Sequence, residues 1–378
     1  MVRRGHHEGS IHQRESDGRW VACINLGYKN GKRDRKYLYG ATRREVAEKL
    51  KVALRDQQLG APVKVERLTV AQFLARWLEG SVKPSVKTKT YEGYESIMRV
   101  RVVPHIGRIV LTKLTPLDLQ ALYAALQGTG LSSRSVHHTH RALHRAFQQA
   151  VRWDLLIRNP CDGVTPPQAK RPEMRILTQE QVAVLLDATQ NHPAHALYAL
   201  AVTTGMRQGE LLGLRWEDVD LDAARLVVRR ALQRQNKAGL VFVEPKTSRS
   251  RRTIMLSQRA VAALRRHRTR QLEQRLLAGS DWLDLDLVFC NQAGGPLDPS
   301  WQRQTFYDAL RLADLPTIRF HDLRHTAATL LLVRGVHFKV VSEMLGHATV
   351  TLTLDTYSHL VPVLHAQAAA AMDELLGA

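Results

Sequence analysis

His321-Asp322-Leu323-Arg324-His325 is the stretch on which the reading of this chain turns. His321 and Arg324 are three residues apart, so on a helix they share a face. An imidazole and a guanidinium cannot neutralise each other. Together they suit an anion, and the rigid donor fork of Arg fits a phosphate with two parallel hydrogen bonds. The same five residues also imitate the H-E-x-x-H pattern of zinc hydrolases, with His321 and His325 four apart. That reading is the weaker one. Asp322 stands where the Glu should be, and Arg324 would place a cation beside the metal.

Working outward, three further features fall in order. Upstream, residues 204–210 read TGMRQGE, a turn into a helix that carries Arg207, with Gly205 nearby to allow close approach of a ligand. Between them, residues 245–252 read PKTSRSRR, a basic loop between strands that carries Lys246, Arg249 and Arg251. Downstream, Leu345-Gly346-His347 is followed by Asp355-Thr356-Tyr357-Ser358-His359. Around these motifs the pattern predicts strands at 225–232, 240–244 and 252–256. It predicts helices at 258–277, 300–312, 322–333, 338–345 and 350–359. Thr178 and Gln181 form a capping box that opens an earlier helix. Residues 175–378 thus read as a mixed α+β domain.

Towards the amino terminus the composition changes. Residues 164–174 contain three prolines and two cations within nine residues, which marks an extended linker. Residues 63–163 read as all helix: one from Thr69 to Leu78, one from Thr88 to Val103 stopped by Pro104 and Gly107, one opened by Thr115-Pro116, and a long basic one from Ser132 to Trp153. Its histidines His137, His138, His140 and His144 read as exposed groups facing DNA or solvent, not as metal ligands. Residues 1–62 read as a small β-sheet plus a helix. Strands are expected at 20–26 and 33–39 around Asn30-Gly31, a hairpin signal, with an edge strand at 10–13. Thr42 and Glu45 form a capping box for a helix to about Leu59. The fold class expected is therefore multidomain, mainly α with small β-sheets.

The composition bounds the partners. The 378 residues carry 55 Lys and Arg against 35 Asp and Glu, a net charge of +20. Residues 1–60 hold 14 cations and 7 anions, and residues 61–175 hold 18 and 8. Most of the excess thus lies in the first half, which reads as the gripping part for a polyanion. Three scattered cysteines exclude a disulfide framework and a cysteine-rich zinc site, and a reducing interior fits. The first ten residues are polar and basic, without the apolar core of a secretory signal. No apolar run approaches the ~18 residues of a membrane span. A cytoplasmic protein with a polyanionic partner, nucleic acid or a membrane surface, is expected.

Taken in order over about 150 residues, TGMRQGELLGLRW, EPKTSRSRR, HDLRH, LGH and TLDTYSH resemble the tyrosine recombinases, the phage-integrase family of site-specific DNA recombinases. Residues 63–163 resemble the helical core-binding domain of that family, and residues 1–62 its arm-type DNA-binding domain. The resemblance implies that Tyr357 is the nucleophile and that Arg207 and Arg324 clamp the scissile phosphate. It implies that Lys246 protonates the leaving 5′ oxygen, that His321 assists proton transfer to and from the tyrosine, and that His347 hydrogen-bonds a phosphate oxygen. Glu210 and Asp322 also fit the pattern, as supporting or capping residues. Double-stranded DNA, at core-type and arm-type sites, and a homotetramer on DNA are the implied partners. An excision factor and a host DNA-bending protein are left open.

The chemistry agrees with the residues. A phenol of reference pKa about 10 is a poor nucleophile at pH 7 unless cations stabilise its developing charge. Two Arg and one Lys can do so without a metal, and no GxxxxGK[ST] loop is present, so neither metal nor nucleotide cofactor is expected. Lys83, Lys87, Lys89, Arg134, Arg141, Arg145, Arg249 and Arg251 are the expected phosphate contacts. Residues 360–376 lose every Lys and Arg and place Val361, Leu364, Ala368, Met372 and Leu375 near helical spacing. This tail reads either as a helix on its own core or as one docking on a neighbouring subunit. Two rival activities remain, a type IB topoisomerase-like relaxing enzyme and a DNA-binding regulator without catalysis.

Overall fold

Strand β1 (Ser10–Gln13) pairs antiparallel with β2 (Trp20–Lys29), and β2 pairs with β3 (Lys32–Gly40). Helix α1 (Arg43–Gln58) covers one face of this sheet, and Ala22, Ile24, Val46 and Leu50 are buried between them. Thr42 caps α1 as expected, accepting from Glu45 N at 3.2 Å. The Glu45 carboxylate reaches one residue further back than a standard box, to Ala41 N at 2.9 Å. The computed structural model describes residues 10–29, 32–58, 67–168, 174–236, 238–244, 251–358, 369–370 and 372–377. The Asn30-Gly31 turn therefore lies outside the described residues.

The helical region begins with α2 (Val70–Trp77). Thr69 accepts from Gln72 N, and Gln72 Oε1 accepts from Thr69 N at 2.9 Å, a reciprocal cap. The sequence reading ends this helix at Leu78. The chain instead continues through a π-helical turn (Leu78–Val82) into α3 (Lys83–Ser85). The same device recurs in α4 (Thr88–Ile97), which passes through a π turn (Met98–Val102) into α5 (Val103–Ile106). Pro104 was expected to stop this helix and does not. Each π turn resets the hydrogen-bond register, so the proline occupies the opening of a resumed helix, where its missing N–H costs little. The stop falls at Gly107, whose N–H donates to Val103 O at 3.0 Å. Helices α6 (Pro116–Gly128) and α7 (Ser133–Arg152) complete the region. Phe73, Trp77, Met98, Leu119, Tyr123 and Phe147 are among the side chains that fill its core.

The chain divides into two compact units, Met1–Arg171 and Pro172–Ala378. In the second, α8 (Gln179–Ala188) is opened by the Thr178/Gln181 box. Helices α9 (His195–Thr204) and α10 (Gln208–Leu212) lead into a three-stranded antiparallel sheet and a separate hairpin. The sheet is β4 (Val219–Asp220), β5 (Arg225–Val228) and β8 (Arg252–Met255), with β5 in the middle. The hairpin is β6 (Ala231–Gln235) with β7 (Gly239–Val243). The single strand expected at 225–232 is thus two strands serving different sheets, parted at Arg229-Arg230. Helices α11 (Gln258–Ala278), α12 (Pro299–Leu312), α13 (Asp322–Val333), α14 (Phe338–Leu345) and α15 (Val350–Tyr357) follow, close to the expected spans. Helix α9 escaped the sequence reading. Nearly all its residues are buried, so it has no polar face to give it a helical period. Residues 359–368 of the tail lie outside the described residues, and residues 372–376 are helical.

Candidate active site

Helix α9 ends on Gly205, whose φ of +61° is left-handed. A Cβ there would sit 2.5 Å from Leu345 Cδ2, so only glycine lets this turn pass under the end of α14. Two residues on, Arg207 caps α10. Its backbone N–H donates to Glu210 Oε2 at 3.0 Å, its Nη1 to Glu210 Oε1 at 2.8 Å, and its Nη2 to Gly346 O at 3.2 Å. The Arg207 side chain stays 40% exposed, open to a ligand.

Glu210 is shared by two arginines. Arg252, at the start of β8, donates through Nη2 to Glu210 Oε2 at 2.8 Å and through Nε to Met344 O at 2.6 Å. The Arg252 and Glu210 side chains are 7% and 6% exposed. Burial pushes the Glu210 carboxyl up, but Arg252 and then Arg207 outweigh it and hold it below the ordinary range. An uncompensated carboxylate here would repel a phosphate; a doubly paired one sets the arginines.

Arg324 lies on the first turn of α13 and is 4% exposed. Its Nη1 donates to Gly205 O at 2.7 Å. Its Nη2 is buried with no hydrogen-bond partner among the described residues. A buried guanidinium with an unmet donor is costly unless an anion completes it. Burial, and then the charge of Arg207, push its pKa down. His321 is lowered by burial and then by Arg324. His347 follows the left-handed Gly346, shares a hydrogen bond with Thr353 Oγ1 at 2.7 Å, and is pushed down to about 4 by burial, Arg324 and Arg207. These groups form one electropositive cluster.

Tyr357 ends α15. It is 1% exposed and packs with Ala328, Leu332, Val341 and Leu345. Its Oη lies 3.0 Å from His325 Nδ1. Burial pushes the phenol up to about 12, against the opposing pull of Arg324. His321 stands edge-on to the His325 ring, with centroids 5.3 Å apart. The structure therefore gathers Arg207, His321, Arg324, His347 and Tyr357 in one place. Lys246 and Arg249 lie outside the described residues. Sequence reasoning missed Arg252 and Thr353, and considered His325 only as a zinc ligand. None of the three stands in a spacing that announces its partner.

The expected phosphate contacts of the helical region are mostly exposed, but several already have anionic neighbours. Lys83 pairs with Glu79 at 2.6 Å and Lys89 with Glu92 at 3.2 Å. Lys87, Arg134 and Arg141 are exposed, the last two on α7. Arg145 donates to Tyr94 Oη at 2.9 Å and stacks over that ring. In the second unit, Arg251 pairs with Glu244 at 3.1 Å. The α7 histidines do not all face outward. His140 is bonded to Tyr123 Oη at 2.8 Å and His144 to Asp162 at 3.0 Å, because α7 turns this row toward α6 and the 160–163 turn. Among the described residues there is no group of three metal-ligating side chains, and no helix is long and apolar enough to cross a membrane.

A buried tyrosine beside two arginines and a ring of imidazoles, at the end of a mainly helical chain with small antiparallel sheets, defines a tyrosine recombinase. Residues 175–362 match the phage integrase family, and residues 69–127 match the phage integrase N-terminal SAM-like domain. A "tyrosine recombinase XerC-like" protein of Caldanaerobacter subterraneus subsp. tengcongensis is 32% identical over 92% of this chain and 93% of its own length. An "integrase" of Streptomyces ambofaciens is 32% identical over 98% of this chain and 97% of its own. Among solved structures, the Tn1549 transposon integrase in complex with transposon right end DNA is similar, with a TM-score of 0.69 and 25% identity over 82% of this chain and 100% of that one. The chain belongs to the phage integrase family, and it is a site-specific DNA recombinase that cleaves and rejoins DNA.

Proposed function

We propose that the scissile phosphate of double-stranded DNA binds between Arg207 and Arg324, and that Tyr357 attacks it. The observation that carries this reading is the buried Nη2 of Arg324, which has no hydrogen-bond partner among the described residues, together with the partly exposed Arg207 side chain. In the reaction, Tyr357 Oη forms a bond to phosphorus and the bond to the 5′ oxygen breaks. The DNA is left as a 3′-phosphotyrosine, and Lys246 gives the leaving oxygen its proton. His321 assists the proton transfer at Tyr357, and His347 donates to a phosphate oxygen. Because the phosphoester is conserved, a second 5′ hydroxyl can reverse the attack without ATP.

The chain would divide its labour among three parts. Residues 175–378 carry the chemistry, residues 63–163 grip the core site, and residues 1–62 bind a separate arm-type site, joined by the linker at 164–174. Lys83, Lys87, Lys89, Arg134, Arg141, Arg145, Arg249 and Arg251 would position the protein on phosphates without reading sequence. A homotetramer on DNA, its tails docking between subunits, would then exchange strands in the bacterial cytoplasm. The residue roles are tested by single-turnover cleavage of a nicked attachment-site duplex. Removing one preorganised donor typically costs about 10²–10³ in rate. Arg324→Ala should lose at least that much at saturating DNA. An unchanged rate would place the phosphate elsewhere.

A further inference from the structure

We propose that His325 is a positioning residue for the nucleophile: its Nδ1 accepts the Tyr357 hydroxyl and fixes where that oxygen stands when the phosphate arrives. The proposal rests on Tyr357 being the nucleophile, and it adds a residue outside the set Arg207, Lys246, His321, Arg324, His347 and Tyr357.

The geometry starts from the helix. His325 follows Arg324 directly on α13, so the phosphate-clamping guanidinium and this imidazole are set by one helical turn. The Tyr357 ring is held by the apolar core of α13, α14 and α15, and its only polar end is the hydroxyl. A buried phenol needs a hydrogen-bond partner. His325 Nδ1 supplies one at 3.0 Å, from an element 32 residues away in sequence. The same hydroxyl feels the charge of Arg324. The oxygen is thus tied on one side to an acceptor and lies near the cation that would hold the phosphate.

The direction of this bond follows from the two groups. Burial, then His321, lowers His325 to about 4, with Arg324 and Arg319 acting the same way and Asp322 opposing them. His325 is therefore neutral at pH 7, while the phenol keeps its proton. Tyr357 O–H donates, Nδ1 accepts, and the imidazole proton sits on Nε2. With the phenol pushed up and the imidazole pushed down, full transfer of the phenol proton to His325 runs strongly uphill. His325 consequently acts on the place and direction of the oxygen, not as its base. Loss of one aligned contact at a reacting atom is worth about tenfold in rate.

The test compares three variants of the full chain in single-turnover adduct formation on a nicked duplex, with DNA affinity measured alongside. His325→Asn keeps an acceptor near the Nδ1 position. His325→Gln moves its polar end to the Nε2 position, and His325→Phe keeps the ring without an acceptor. The expected result is a fall of about tenfold in the saturating rate for Phe and Gln, near-native DNA affinity, and recovery toward wild type for Asn. If Phe fails to fold, the Asn and Gln pair carries the comparison. Equal rates for Asn and Gln, an unchanged rate for Phe, or a faster rate would each overturn the proposal. Absence of any adduct with wild type would instead sink the assignment of Tyr357.

Discussion

At the residue scale, the site is a set of charges that the DNA-free protein holds at a cost. Arg324 keeps one buried donor without a partner among the described residues, and His325 and His347 are held neutral by burial and neighbouring groups. The pH consequence has a definite sign. In the unfolded chain both histidines have the ordinary value near 6.5, and in the folded chain each is lowered to about 4. Below about pH 6.5 the unfolded chain therefore takes up protons first, and the folded state loses stability until the folded histidines also protonate near pH 4. Glu210 adds a loss of the same sign only at lower pH, because its depressed carboxyl gives up stability as the pH falls below the ordinary carboxylate value and through its folded one. A phosphate in the cluster would favour the charged imidazoles. The melting temperature should thus fall more steeply between pH 7 and pH 5 for the free protein than for the DNA complex, and scanning calorimetry reads both. The clustering of Arg207, His321, Arg324, His347 and Tyr357 was legible because they stand, in order, in the motifs that carry the family resemblance. Arg252 was not, because it meets Met344 and Glu210 only through the fold, 92 and 42 residues away.

At the scale of elements, the site is assembled where the ends of several helices meet. The turn from α9 into α10 supplies Arg207, α13 supplies Arg324, the turn after α14 supplies His347, and α15 supplies Tyr357. Arg252 ties three of the elements, because it leaves β8, grips Glu210 on α10 and caps Met344 O at the end of α14. Gly346 must remain small for this, since a Cβ there would lie 2.9 Å from Arg252 Nη1. Lys cannot reproduce this planar fork. Arg252→Lys should cost about 1–3 kcal/mol of stability from the buried bonds it loses. It should also slow cleavage, because Glu210 would no longer be held against Arg207. Chemical denaturation and single-turnover rates measure the two effects. Most helices were legible from caps and periodicity. The misreadings have physical causes: α9 is apolar all round, the strand at 225–232 breaks at two arginines, and the helices expected to end at Leu78 and before Pro104 continue through π turns.

At the scale of the whole molecule, charge and architecture point to one use. The net charge of +20 is concentrated in the first 175 residues, and the tail at 360–376 carries no cation. Each phosphate neutralised releases counterions, so binding must weaken steeply with salt. With 6–10 phosphate contacts, affinity should fall by about 10³–10⁵ between 50 and 200 mM salt. A titration of a core-site duplex by fluorescence anisotropy checks this. A flat salt response would leave the basic surface without its assigned role. The mixture of small sheets and helices was legible from the sequence at this scale, because turn and cap residues punctuate it.

The central claim is that Tyr357 is the nucleophile in a site served by arginines and imidazoles. The most direct measurement incubates wild type and Tyr357→Phe with a nicked attachment-site duplex in the presence of EDTA and resolves the products on a denaturing gel. The account predicts a covalent protein–DNA adduct with wild type and none with Tyr357→Phe. An adduct of equal yield from both proteins would place the nucleophile elsewhere and contradict it.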